Sequence, residues 1–512
     1  MGLLTNQHTD SGLLPLPGVR LSKSKFLSGL QCPKRLYLEI HAPELATKPD
    51  EQQQAILDMG SEVGVLARRR FSNGVLVEAD HRHPTAALEQ TAKLVANPNV
   101  PAIFEGAFEY DRILVRVDIL ERLEPGVDGA PRWRLIEVKS STRVKETHLE
   151  DLAVQTHVVK GAGLSVAGSW LLHINSQYSY QGHELDLEEL FALYDLTAVV
   201  AEREPHVAGR VRGMRDVLTG TSPPQVDPDN HCHTPYSCPF WNHCIKDKPA
   251  RWIYHLPGGE RTYRQLTRLG IGTIDDIPQD FKLTTLQRLM KEEREWIGPR
   301  LKSRLEDVQF PVHHLDFETC MPAIPKFPLT RPYLAIPTQW SNHIELADGS
   351  VRHEEYLCDD PRDPRPMFLS TLLESLGQEG SICVYSSYER TILERLAGAY
   401  PQFAAELQRV IGRLWDLLAV VREQYYHPGF QGSFSIKSVM PALVPGLSYS
   451  DLEIQDGGVA AHAYAHMLFE ETDWVERERI REALMRYCER DTFAMLQVRR
   501  ILLEKVRSSG VP

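Results

Sequence analysis

The chain has 512 residues, enough for two or three domains each burying its own core, with an ordinary globular composition of 42% hydrophobic and 25% charged residues. A formal charge of −12 excludes a protein that coats nucleic acid by bulk charge. It does not exclude a nuclease, because carboxylate-rich metal sites add negative charge while a local basic groove still holds phosphates. No apolar run of about eighteen residues occurs, so no membrane span is expected. Residues 1–20 lack the basic start and continuous apolar stretch of a signal peptide and are expected to form a flexible lead-in. In the cytoplasmic location this implies, the eight cysteines are thiols or metal ligands rather than disulfides.

A first domain is expected over residues 21–250. Its early basic clusters, Lys23, Lys25, Lys34 and Arg35, then Arg68, Arg69 and Arg70, read most simply as solvated faces. Alternating hydrophobicity over 112–120 predicts a strand, followed by a turn region between Pro125 and Pro131 and a second strand over 133–139. Asp118 lies at the end of the first strand. On the second, Glu137 and Lys139 share one face while Ile136 and Val138 face the core. If the strands pair, Asp118 meets Glu137 over a divalent cation, with Lys139 placed to activate water or neutralise charge on a phosphate. The bland alternative is an exposed strand with alternating charges. Gln155 on a following helix and Glu105 on the segment before the strand are further candidates.

Near the end of this domain Cys232, Cys238 and Cys244 follow one another with five residues between each. Thiols so close in one chain point to zinc or iron–sulfur rather than packing. Cys32 is the best fourth ligand, since Cys320, Cys358, Cys383 and Cys488 fall in the second domain. His231, His233 and His243 keep a local Cys3His zinc site open.

Residues 251–307 are helical in pattern, and their Leu269-Gly270-Ile271-Gly272 turn suggests either a helix-hairpin-helix-like linker holding a phosphate or a spacer with a glycine cap. A second domain is expected over 308–512, with strands at 312–317 and 381–385 and helices at 388–399 and about 480–505. Strands interleaved with helices make this an α/β fold. Asp316 and Glu318 share one strand face, with Leu315 and Phe317 pointing inward, and two such carboxylates repel unless a cation compensates them. Tyr487 and Asp491, at i and i+4, share a helix face. Lys437, in 432–437, is a possible phosphate contact.

The phrase LSKSKFLSGLQCPKR around Cys32, with the three late cysteines and the Asp118, Glu137-Val138-Lys139 pattern between them, resembles the RecB-like, CRISPR-associated exonucleases of PD-(D/E)xK type. The resemblance implies a restriction-endonuclease-like fold and a 4Fe-4S cluster on Cys32, Cys232, Cys238 and Cys244, with zinc the alternative because the late spacing departs from the family's. It implies catalytic roles for Asp118, Glu137, Lys139 and Gln155. A tyrosine that the family has four residues after that glutamine is replaced here by Val159.

Asp316-x-Glu318 with Tyr487-x-x-x-Asp491 resembles the tyrosine variant of the DEDD exonucleases, which have an RNase H-like fold. There the carboxylates bind two metals and the tyrosine orients water. The intermediate motif is matched by Ser386 and Glu389 in Tyr385-Ser-Ser-Tyr-Glu389, with Asp416 the rival third carboxylate. Together these similarities imply a Mg2+- or Mn2+-dependent nuclease acting on DNA, on single strands or ends, in repair or defence against foreign DNA, with Asp118, Glu137, Asp316, Glu318, Glu389 and Asp491 as metal ligands. The alternatives are an RNA-processing exonuclease and a nucleic-acid-binding scaffold with reduced catalysis.

Overall fold

The computed structural model describes residues 19–126 and 129–509, so the expected lead-in lies, up to residue 18, outside the described residues. The chain forms two compact units. One runs to Lys48 and takes in Gly60–Asn175 and Leu185–Lys246; the other comprises Pro49–Met59, Ser176–Glu184 and the chain from Asp247 onward. Both units mix helices and strands. No helix among the described residues is long and apolar enough to cross a membrane.

The first unit is built on a seven-stranded sheet from β1 (Leu21–Ser22), β2 (Val75–Leu76), β3 (Ala102–Tyr110), β4 (Ile113–Leu123), β5 (Arg132–Lys139), β6 (Ser165–Ile174) and β7 (Phe191–Asp195). The order is β2-β3-β4-β5-β6-β7, with β1 pairing in parallel to the start of β4. Strands β3, β4 and β5 are antiparallel, and β6 is parallel to β5. Four helices matter here: α1 (Lys23–Gln31), α2 (Pro33–His41), α3 (Glu146–Gly161) and α4 (Thr197–Thr219). Leu152, Val154 and Val158 of α3 pack with Val115, Val117, Leu135 and Leu171 of the strands in one core. Pro33 explains why α1 and α2 are separate. The residue before a proline is driven out of the helical region, and Cys32 is extended, at φ −161° and ψ 121°.

The expected hairpin over 112–139 is therefore present, with Asp118 inside β4 rather than at its end. One detail differs from the simple in-and-out alternation. Glu137 is buried and Val138 only half-buried, because the face of β5 that carries Trp133, Leu135 and Glu137 is the one that packs with α3 in the core, not the face of Ile136 and Val138.

The second unit holds β8 (Trp296–Ile297), β9 (Val312–Cys320), β10 (Ile336–Glu345), β11 (Val351–Leu357), β12 (Ser381–Val384), β13 (Leu414–Asp416) and β14 (Tyr425–Tyr426). Its main sheet has the order β11-β10-β9-β12-β13. The first strand is central, flanked by the antiparallel β10 and β11 on one side and the parallel β12 and β13 on the other. The helices used below are α5 (Tyr388–Ala399), α6 (Ile436–Leu443), α7 (Gly457–Phe469) and α8 (Trp474–Ser509). At 36 residues, α8 is about 54 Å long. It packs across β9 and β10, fixed by the Gln339 Nε2 bond to Leu484 O at 3.0 Å and the Ser341–Thr492 hydroxyl pair at 2.8 Å.

The helical stretch expected over 251–307 belongs to this second unit: β8 pairs with β14, and Tyr425 Oη donates to Glu295 Oε1 at 2.6 Å. A helix-hairpin-helix is not what its glycines build. Gly270 has φ +75° and ends the helix Glu260–Arg268 through bonds from Ile271 N to Leu266 O and from Gly270 N to Thr267 O, both 3.0 Å. That is a glycine C-cap. The chain then turns at 274–277 and pairs Thr273 with Trp252 instead of starting a partner helix.

Candidate functional site

Three groups of polar side chains come together in the structure. In the first unit, Asp118 on β4 faces Glu137 on β5, one step beyond the Ile119–Ile136 register pair, and Val138 N–H donates to Asp118 Oδ2 at 2.7 Å. Lys139 Nζ reaches Glu137 Oε1 at 2.5 Å, and Gln155 Nε2, from α3, reaches Glu137 Oε2 at 2.6 Å. Two further residues complete the cluster. Asp151 accepts from Lys139 Nζ at 2.8 Å and from Gln155 Nε2 at 2.9 Å, and Lys23 Nζ donates to both Glu137 oxygens at 3.0 and 3.1 Å. Glu105 stands apart from this core. Its carboxylate is taken by Arg68 at 2.8 Å and Arg116 at 3.4 Å. Val159 is fully buried in the hydrophobic core.

The electrostatics divide this cluster. Burial pushes Asp118 up to about 7, and the neighbouring Glu137 charge adds to it. Burial also acts to raise Glu137, but Lys139 and Lys23 outweigh it and hold that carboxyl well below the usual range. Gln155 is wholly buried, and its Oε1 has no hydrogen-bond partner. A cluster that contains an orphaned acceptor and an Asp118 carboxylate that accepts from a backbone N–H fits a bound cation or its water.

All four cysteines, Cys32, Cys232, Cys238 and Cys244, line one small cavity with His231, Arg35 and Phe240. All eight cysteines of the chain are free thiols. The Cys32 side chain sits where α1 gives way to α2. The late loop folds onto it: Gln31 Nε2 donates to His231 O at 2.7 Å and Tyr236 O at 2.6 Å, and Cys238 N donates to Cys232 O at 2.8 Å. Burial raises the thiols of Cys232, Cys238 and Cys244, Cys238 to about 11, and the nearby Cys32 thiol adds to each shift. Among the rival ligands, His231 Nε2 lies 3.6 Å from Cys232 Sγ, while the His233 ring packs on Trp241 at 4.4 Å. Four convergent soft donors suit an iron–sulfur cluster or zinc.

In the second unit, Asp316 and Glu318 on β9 come together with Glu389 at the start of α5 and Asp491 on α8. Asp316, Glu389 and Asp491 line one pocket with Ser386, Lys437 and Tyr487. Ligand atoms of Asp316, Glu318 and Cys488 lie within 4.8 Å of one another. Burial, reinforced by Asp491, raises Asp316 and Glu318 well above the carboxylate range. Burial takes Glu389 up to about 7 and Asp491 to about 6, the latter restrained by hydrogen bonding from Tyr449 and by Lys437. Gly457, at the start of α7, adjoins the site: a Cβ there would lie 3.6 Å from Glu318 Oε2. Asp416 is a helix cap, its Oδ1 accepting from Ala419 N at 3.0 Å, which leaves Glu389 as the third carboxylate in the pocket.

A family described as Domain of unknown function (DUF2779) matches residues 313–435. That stretch carries Asp316, Glu318 and Glu389 but stops short of Tyr487 and Asp491. No curated protein matches the chain.

The residues that pattern reading missed differ in how visible they were. Asp151 is four residues before Gln155 and so on the same helix face, a signal that could have found it. Cys488 follows Tyr487 directly, and its Sγ lies 3.7 Å from Asp316 Oδ2. Tyr449, whose hydroxyl donates to Asp491 Oδ1, comes from an irregular segment with no local pattern.

Proposed function

We propose that the chain is a cytoplasmic, metal-dependent nuclease that hydrolyses DNA phosphodiester bonds, acting exonucleolytically on single strands or ends in repair or in defence against foreign DNA. One observation carries this reading. Three carboxylates, from one strand and two separate helices, line one pocket with Lys437, and Glu318 lies close enough to raise Asp316 and be raised by Asp491. Buried charge of one sign on that scale needs a cation.

The architecture supports the same reading. A central first strand with an antiparallel pair on one side and parallel strands on the other is the arrangement an RNase H-like domain requires. In the first unit, a helix (Pro84–Ala96), three antiparallel strands, a helix and a strand parallel to the third suit a PD-(D/E)xK domain. The Cys32, Cys232, Cys238 and Cys244 thiols suit a 4Fe-4S cluster, with zinc the alternative. Such a centre ties α1 to a loop about two hundred residues later and is structural.

Mg2+ or Mn2+, when bound, supplies Lewis-acid activation of the phosphodiester and of water. Asp118 and Glu137 would hold it in the first unit, and Asp316, Glu318, Glu389 and Asp491 in the second. Lys139 neutralises charge on the phosphate, Gln155 fixes the Glu137 carboxylate, and the Tyr487 hydroxyl orients water beside Asp491.

The test is incubation of the full chain with end-labelled single- and double-stranded DNA and RNA, with EDTA or with Mn2+. Mn2+-dependent loss of DNA that falls at least ~100-fold in Glu137→Gln, Asp316→Asn or both is expected. Degradation of RNA alone selects the RNA-processing reading, and binding without cleavage selects the scaffold.

A further inference from the structure

Lys23 lies in the phrase that leads to Cys32 but is given no role by it, yet it is one of the best-held charges in the first unit. Its side chain is 23% exposed, against 1% for Glu137. Besides its two bonds to Glu137 it pairs with Asp151 Oδ1 at 3.4 Å. The main chain behind it is fixed at two points. Ser22, the residue before it, caps α1 by accepting from Lys25 N at 3.3 Å. Leu21 and Ser22 also pair with Ile113 and Leu114 of β4, the strand that carries Asp118. A lysine anchored in this way is not a surface residue that happens to fold inward.

The cluster is lopsided as a result. On the Glu137–Asp151 side, two ammonium groups and the Gln155 amide satisfy the two carboxylates. On the Asp118 side the donor is a neutral backbone N–H, and no ion pair reaches Asp118 among the described residues. The cluster also holds an orphaned buried acceptor, Gln155 Oε1. Three carboxylates against two ammonium groups leave a single negative charge for an incoming cation. A second divalent ion would have to enter the side where Lys23 and Lys139 already stand, against like charge at contact distance.

We infer that Lys23 is a fixed cation of the first carboxylate site, filling the Glu137–Asp151 side in place of a second metal ion, so that the site accepts one divalent ion, between Asp118 and Glu137. This rests on reading the site as metal-dependent. Lys23 acts through Glu137 and Asp151 and is a positioning residue rather than a catalytic one.

The experiment counts Mn2+ bound to the full chain, from the electron paramagnetic resonance signal of free Mn2+, in wild type, Lys23→Met, Lys23→Arg and Glu137→Gln. Ions held by the second unit are common to all four and cancel. Lys23→Met should bind one more Mn2+ per chain than wild type, while Lys23→Arg, which keeps the charge, should match wild type. An unchanged count in Lys23→Met overturns the inference. If Lys23→Met does not fold, Lys23→Gln, which keeps a polar donor toward Glu137, replaces it with the same two outcomes. Glu137→Gln separates this claim from the one beneath it. One Mn2+ fewer than wild type upholds the metal site, and no loss overturns both the site and the role of Lys23.

Discussion

In the first unit, Glu137 and Asp151 share two lysines at hydrogen-bonding distance. In the second, four carboxylates share the neighbourhood of Lys437, whose Nζ donates to Gln455 O at 2.6 Å and lies over the rings of Tyr449 and Tyr487. Removing charge from water is costly in either place, and the cost is offset only by a partner. The first cluster carries most of its compensation as side chains built into the fold. The second relies on protons, as its raised carboxyls indicate, or on an ion from solution. Two sites with the same chemistry can therefore respond to the same substitution with opposite sign.

That contrast is open to direct attack. Glu137→Gln strands Lys23 and Lys139 with half their compensation and should destabilise the first unit by about 3 kcal/mol, read from the hydrogen exchange of β4 and β5 amides. Stabilisation instead would mean that the lysines are not structural partners. Asp316→Asn, made without metal, should do the reverse. Removing one of the mutually repelling buried carboxylates should stabilise the metal-free second unit, seen as slower exchange along β9. The same variant should lose the Mn2+ response, which in wild type at a hundredfold excess over Kd is about 2.7 kcal/mol.

Acidity gives a third handle on the difference. Glu389, at about 7, and Asp491, at about 6, sit above the unfolded carboxylate range. The folded state therefore binds more protons than the unfolded one between about pH 4 and pH 7. Stability of the metal-free second unit is full below that window and falls as pH rises through it. Saturating Mn2+ should flatten the profile, and a profile that is already flat without metal would contradict the raised carboxyls. The smallest expected effect is Tyr449→Phe, which removes the hydroxyl from Asp491 and should cost about 1 kcal/mol in the urea midpoint of the metal-bound protein.

Much of this was readable in the chain because it is local. The strand and helix patterns around Asp118, Glu137, Asp316 and Glu389 place each residue on a face, and the proline after Cys32 marks the break between α1 and α2. Asp416, preceding two leucines at a helix start, reads as a cap for the same local reason. What stayed hidden depends on pairing between distant segments. Lys23 joins Glu137, 114 residues away, only because β1 lies beside β4. The stretch 251–307 looks like a linker until β8 finds β14. Val159 shows a different limit. The helix face it occupies is as buried as the rest of α3, so its position near Gln155 says nothing of substrate.

Mn2+ anomalous diffraction from crystals of the full chain tests most directly whether the buried carboxylates of both units hold divalent ions. One ion is expected between Asp118 and Glu137. A further Mn2+ is expected touching Asp316, with Glu318, Glu389 and Asp491 within one coordination shell or one water of it. Empty anomalous maps at both clusters under saturating Mn2+ would rule out a metal-dependent nuclease.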